Sequence, residues 1–406
     1  MTTEPLLPDW ARDSPALAVL EALAKAGGEG RFVGGCVRDG LLGRAIQDID
    51  IATPLTPDAV MRALRGAGLG AVPTGLAHGT ITAIVRHHPV EVTTLRQDLE
   101  TFGRHAVVAF TEDWTLDAHR RDLTMNALFL DRRGRLYDYV EGLDDLKTGR
   151  VRFVGDPWQR IGEDYLRLLR FLRFHAHYAK TPLDADGLAA ASELAEGLAQ
   201  ISGERKRQEL LRLLAAVNPL PVLAVMVDKG ILPWVLREAQ DLQTLTRLLA
   251  FSPDADPLQR LAALLPADPA VVARSARALA LSNRQSERLS RLAAVMESGA
   301  GLDAATARRA LLYRQDAEGL RDRSRLAAAR GLISSATLAE AEREAEDWTP
   351  RRLPIGGKDL LGLGVAAGPA MGTFLRGLEE WWIAEAFRPD RDALLTEARH
   401  RLEQAS

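Results

Sequence analysis

One cysteine, Cys36, is all that 406 residues contain, which excludes both a disulfide within the chain and a CxxC metal site. Next to Gly34 and Gly35, its thiol reads as a small buried side chain rather than a nucleophile. Long apolar runs are missing too. No stretch could cross a bilayer, and Met1–Trp10 lacks a basic region followed by an apolar core, so the expectation is a cytoplasmic protein with no membrane partner. Nor does either sign of charge dominate: 52 Lys+Arg against 55 Asp+Glu leave a formal net charge of −3. That balance argues against tail-like, non-specific nucleic-acid binding and confines any RNA site to a local patch; arginine carries most of the chain's positive charge. No GxxxxGK[ST] phosphate loop occurs, since "PIGGKDLLGLG" from Pro354 has neither its spacing nor its trailing hydroxyl. Repeats of fixed period are absent, as are low-complexity tracts beyond an Ala/Leu/Arg bias.

What is present is the composition of an ordinary globular chain, 47% hydrophobic and 26% charged, long enough for two to four modules of about 100–200 residues. Short β-rich runs at Arg31–Val33, Asp48–Ala52, Thr80–Val85, Val90–Thr94 and Ala127–Leu130 alternate with short helical stretches, the pattern of an α/β or α+β module. From about Val151 the strand signals stop. Leu/Ala/Arg patterns at helical spacing run almost to the C-terminus, punctuated by "NPLP", "SPDADP" and "DWTPRRLP".

The chemistry concentrates in "RFVGGCVRDGLLGRAIQDIDIAT", Arg31–Thr53. If Arg31–Val33 is a strand, Gly34 and Gly35 turn the chain into a helix ended by Gly43 in the left-handed conformation. The N–H groups at that helix start, with Arg38, suit a phosphate. In a strand, Asp48 and Asp50 would share one face with Cα atoms about 7 Å apart, while Ile49 and Ile51 point into the core. Two carboxylates on one ledge repel unless a cation lies between them, and Mg²⁺ held by carboxylates and substrate phosphates is the usual one.

These residues resemble the first motif of class II tRNA nucleotidyltransferases, the CCA-adding enzymes, and of the similar bacterial poly(A) polymerases. "HRRDLTMNAL" (His119–Leu128), "YDYVEGLDDLKTGRVRFVGDP", "EDYLRLLRFLRF" and "ISGERKRQELLRLL" resemble the later motifs in order, so that the likeness covers about residues 31–214. It implies an α+β fold: a polymerase-β-like nucleotidyltransferase head with a mixed β-sheet (residues 1–150), then an all-helical neck (151–214), body (215–345) and tail (346–406). It also implies two Mg²⁺ ions on Asp48 and Asp50, CTP and ATP as substrates, tRNA as partner, and nucleotide contacts from Gly34, Gly35, Arg38, Arg120 and Arg121, with Arg121 favoured over Arg120.

Asp164, Arg167, Arg170 and Arg173 recur every third residue, a polar stripe on an amphipathic helix. A carboxylate only accepts and a guanidinium only donates, so Asp164 and Arg167 together match a base edge offering a donor beside an acceptor. Cytosine and adenine offer that edge; guanine and uracil present the reverse order. The resemblance implies the same role for this pair, with Arg170 and Arg173 near the base or phosphates. Glu91 in "VEVTT" is a candidate third acid on a neighbouring strand.

The segment Arg96–Trp114 lacks periodicity and resembles the family's flexible loop, complete in length, which favours full CCA addition over CC addition. "GLAHGTIT" (Gly75–Thr82) resembles CCA-adding enzymes more than poly(A) polymerases, although Leu76 replaces the usual Thr. The absence of a His-Asp dipeptide argues against the phosphohydrolase domain that some bacterial relatives carry. The stretch around Trp381 and Trp382 resembles a tRNA-holding tail, with Arg351, Arg352 and Lys358 able to follow a phosphate backbone; one of the two tryptophans is expected in the core. Residues 215–345 read only as helices. Two other functions fit parts of the sequence: a poly(A) polymerase, and an RNA-binding scaffold on a catalytically inert head.

Overall fold

The computed structural model describes residues 7–102, 105–239, 242–293 and 301–405, and the chain divides into two compact units, Met1–Arg237 and Glu238–Ser406. The described residues of the first unit form nine strands: β1 Arg31–Val33, β2 Asp50–Thr53, β3 Gly70–Gly75, β4 Thr80–Val85, β5 His88–Thr94, β6 Arg96–Phe102, β7 His105–Phe110, β8 Leu128–Asp131 and β9 Leu136–Asp138. Seven form one sheet in the order β3-β4-β5-β2-β1-β8-β9, with β2 and β5 parallel and the other neighbours antiparallel. The expected mixed sheet is therefore present.

Its register sorts side chains by chemistry. One row across the sheet reads Ile81, Val92, Ile51, Phe32, Leu130, all buried, on the face covered by the helices Ala16–Lys25 and Pro57–Gly66. The next row reads Thr82, Glu91, Asp50, Val33, Phe129. Because alternate residues point to opposite faces, this row carries its acids on the side away from those two helices. Val33 and Phe129 there join Leu95, Ala118 and Val154 in a second apolar cluster.

The acidic ledge differs from expectation at one end. Strand β2 starts at Asp50, so Asp48 and Ile49 precede it; Asp48 is exposed, and Ile49 is half-buried rather than in the core. The cause is the length of β1, whose last residue, Val33, pairs with Asp50. Gly34 then turns away with φ +75°, so on the β1 side nothing pairs with the chain before Asp50, and the ladder with β5 also starts only at Asp50, opposite Glu91.

The Arg96–Trp114 segment is another correction: it contains the two-stranded hairpin β6–β7, with residues 103 and 104 outside the described set. A register shift between Asp98 and Glu100 breaks the alternation that would have revealed the strands. Strand β3, with Gly and Pro in "GAVPTG", and the three-residue β9 were likewise unannounced.

No strand follows β9 among the described residues. In the first unit the helices Pro157–Glu163 and Leu166–Tyr178 are separate, with Asp164 extended between them (φ −156°, ψ 107°). The polar stripe is thus not one helix face: Asp164 caps the break and its carboxylate accepts from Leu166 N at 3.1 Å. Phe171 stacks on Phe153 at 5.1 Å, fixing the second helix to the end of the head.

The second unit is helical throughout its described residues. Arg288 joins three of its segments by pairing with Asp256 (2.5 Å) and Asp322 (2.6 Å). Trp382 is the core tryptophan, packed with Leu378, Phe387 and Leu394 and donating to Pro389 O at 2.9 Å, whereas Trp381 is half-buried. Arg351, Arg352 and Lys358 are exposed.

Candidate active site

A strand ending in two glycines creates the first wall of the site. Gly34 takes a left-handed φ that a larger residue would resist, and the helix Gly35–Leu41 begins at once, ending near Gly43 (φ +65°) as the sequence implies. Cys36 lies inward, its thiol donating to Val33 O at 3.4 Å; burial pushes its pKa up to about 11, so it is protonated and inert.

The cleft in front of this turn has a volume of about 990 Å³, and its lining includes all eleven residues inferred above: Gly34, Gly35, Arg38, Asp48, Asp50, Arg120, Arg121, Asp164, Arg167, Arg170 and Arg173. They come from the glycine turn, the start of β2, the Arg120–Asp122 segment and the two neck helices, brought together only by folding. Nine arginines but five aspartates line it, so the wall is cationic in a chain whose overall charge is negative. That is the field a nucleoside triphosphate requires.

The acidic ledge is the exception. Burial pushes the Asp50 carboxyl up to about 6; Glu91, level with it on β5, and Asp48 push the same way, while Arg121 opposes them. Excess negative charge on oxygen-only donors is the environment a hard divalent cation relieves. Among the described residues no three His, Cys, Asp or Glu side chains converge as a metal-binding group, so Glu91 stands beside the pair without completing a triad. Two carboxylates, completed by water and substrate phosphates, suit Mg²⁺, which is seldom held by an all-protein cage.

The arginines differ in how their donors are engaged. Arg38 is buried with each of its three nitrogens engaged, by Asp39 (2.6 and 3.0 Å) and Asn126 (2.6 Å), over the rings of Phe174 and Tyr178. It braces the turn more than it offers donors. Arg120 and Arg121 both grip Asp117, and a β-carbon placed on Gly34 would lie 3.6 Å from Arg121 NH1.

Asp164 and Arg167 do not pair with each other. The Asp164 carboxylate accepts a fork from Arg205 (2.6 and 3.2 Å), while Arg167 NH1 donates to Glu163 and to Arg160 O. A carboxylate has about four acceptor positions, and three are filled here, counting Leu166 N. One remains, and on the same cleft wall Nε and NH2 of Arg167 hold no hydrogen bond to a described residue. Arg170 reaches back to Asp122 (2.6 Å), and Arg173 reaches Glu209 (2.5 Å). Asp122 is held well below the usual carboxylate range: burial opposes this, but Arg170, Asn126 and Leu123 N outweigh it.

Residues 30–152 match a family model described as "Poly A polymerase head domain", and residues 183–242 one described as "Probable RNA and SrmB- binding site of polymerase A". The CCA tRNA nucleotidyltransferase 1, mitochondrial, of Mus musculus is 36% identical over 387 residues, spanning 93% of this chain and 88% of that one. This chain belongs to the CCA tRNA nucleotidyltransferase family. A CCA-adding enzyme of Levilactobacillus brevis is 38% identical over 218 residues, 53% of this chain and 54% of that one. In fold, the chain is similar to the Bacillus stearothermophilus CCA-adding enzyme in complex with CTP (TM-score 0.74, 24% identity, 97% and 98% coverage).

For a member of this family, sequence reasoning missed Asp117, Asn126, Arg205 and Glu209. Each lies in or beside a motif already quoted, so the signal was present. What the motifs could not give was the partner, since Arg205 meets Asp164 across 41 residues and Glu209 meets Arg173 across 36.

Proposed function

We propose that this nucleotidyltransferase adds C, C and A to tRNA 3′ ends from CTP and ATP, releasing pyrophosphate without a nucleic-acid template. The observation that carries this is one cleft holding an acidic ledge, a glycine turn and a donor-acceptor pair at once. The terminal ribose hydroxyl attacks the α-phosphate in line, the bond to the β-phosphate bridging oxygen breaks, and the hydroxyl proton passes to solvent. Asp48 and Asp50 would hold two Mg²⁺, which when bound acidify the attacking hydroxyl and neutralise the leaving pyrophosphate. The N–H groups at Gly34 and Gly35 face the phosphates, with Arg120 and Arg121 above them. Residues 1–150 act as head, 151–214 as neck, 215–345 as body and 346–406 as tail along the tRNA. The cytoplasm, where tRNA, CTP and ATP meet, is part of this reading.

The remaining acceptor position on Asp164 takes the amino group of cytosine or adenine, and Arg167 donates to the adjacent ring nitrogen. Asp164→Ala is expected to lower the preference for CTP over UTP by about 5- to 150-fold, the 1–3 kcal/mol of a bidentate base contact, read as the ratio of kcat/KM values. An unchanged ratio with uniformly slower addition would contradict the assignment.

The whole reading is tested with tRNA transcripts lacking CCA, Mg²⁺ and each nucleotide singly and together, at single-nucleotide resolution. Addition of C, C and A that then stops is expected. Unlimited A tracts would make the chain a poly(A) polymerase, and no incorporation would leave the RNA-binding scaffold.

A further inference from the structure

Behind the cleft wall, outside its lining, stands a carboxylate that the reaction as described does not use. Asp117, in the helix Trp114–His119, is 1% exposed, yet two of the cleft arginines, Arg120 and Arg121, close on it. Arg120 places Nε and NH2 on Oδ1, each at 2.8 Å. Arg121 places Nε and NH2 on Oδ2, at 3.3 and 2.9 Å. The backbone N–H of Arg96, first residue of the β6–β7 hairpin, also donates to Oδ1 at 3.3 Å.

Two consequences follow from charge and shape. Adjacent guanidiniums on one wall repel; a carboxylate between them allows both to face the cleft and still leaves the group with one net positive charge. Because each fork grips Asp117 by its Nε/NH2 edge, each is turned so that NH1, which holds no hydrogen bond to a described residue, is free for a ligand. A guanidinium is a planar fork whose orientation decides what it can bind.

We infer that Asp117 is a positioning residue for nucleotide binding: it sets Arg120 and Arg121 on the triphosphate and ties them to the foot of the hairpin. The inference rests on the proposed role of those two arginines, so the test separates the two claims. Binding of CTP and of CMP, each with Mg²⁺ and without tRNA, is measured for the wild type, Asp117→Asn, Arg120→Ala/Arg121→Ala and the triple variant.

The expected result is CTP binding weakened about tenfold or more by Asp117→Asn, as for loss of a charge-assisted contact, with CMP changed less than about threefold. In the double-alanine background Asp117→Asn is expected to add nothing, because residues acting as one unit are non-additive. Equal losses for CTP and CMP, or full additivity, would overturn the positioning role and leave Asp117 a structural anchor. Should the double-alanine variant bind CTP normally, the nucleotide role of the arginines fails first. If Asp117→Asn does not fold, Asp117→Glu keeps the charge but displaces both forks, and the same selective loss of CTP over CMP is required.

Discussion

Asp50→Asn is expected to slow nucleotide incorporation by about a thousandfold or more while leaving the protein at least as stable as the parent. The loss is that of the several kcal/mol of charge stabilisation that a correctly held metal supplies. The stability follows from the carboxylate's surroundings: partly buried, level with Glu91 and near Asp48, Asp50 has its pKa pushed up to about 6, so in metal-free protein its ionisation opposes folding. The sign is explicit. A folded pKa above the ordinary value of about 4 means the favourable contribution is complete below about pH 4 and lost as pH rises through about 6. The asparagine variant escapes that loss, so in EDTA its melting temperature should match the wild type near pH 4 and exceed it at pH 7. Exposed Asp48 should show the activity loss on change to alanine with little effect on melting. Activity within tenfold of wild type for Asp50→Asn would remove it from the reaction, and a melting point several degrees lower would make it a structural acid.

The second large effect is on the fold. Asp122→Asn should destabilise the protein by about 2–3 kcal/mol, measured by denaturant unfolding of the first unit's transition. Breaking a fully buried ion pair costs about 3–5 kcal/mol because a charge is left without its partner. Here Arg170 keeps 32% of its side chain exposed, so water recovers part of that. Since Asp122 is held below the usual carboxylate range, its contribution is present above about pH 4 and is lost as pH falls toward its folded value; the gap between wild type and variant should narrow in acid. Asp122→Asn/Arg170→Met, which removes both charges, should be less damaging than Asp122→Asn alone. If the double variant is the worse of the two, the pair is not the source of the effect.

Asp122 also shows what linear motifs leave out. It was visible as the acid of "RRD", and Arg170 as one position of a stripe on "EDYLRLLRFLRF", but that they meet across 48 residues could not be read from either. Asp164 was legible as a candidate base-reading acid, while the helix break at its position and the Arg205 fork on its carboxylate were not. The hairpin was missed for a local reason, a bulge that spoils alternation, and the short reach of β2 for a non-local one, the early end of β1 at the glycine turn.

Local chemistry alone determined the kind of site: which residues could carry phosphate, metal and base recognition, and where strands give way to helices. Spacing and residue type suffice for that, because backbone conformation and hydrogen-bonding capacity are properties of short segments. The tertiary structure decided which charges neutralise one another and which stay free. Arg38 is occupied by Asp39 and Asn126, whereas Arg120 and Arg121 keep one donor edge each because Asp117 holds the other. Those outcomes depend on distances between segments far apart in the chain, and electrostatic and hydrogen-bond energies fall off too steeply with distance for any sequence spacing to stand in for them.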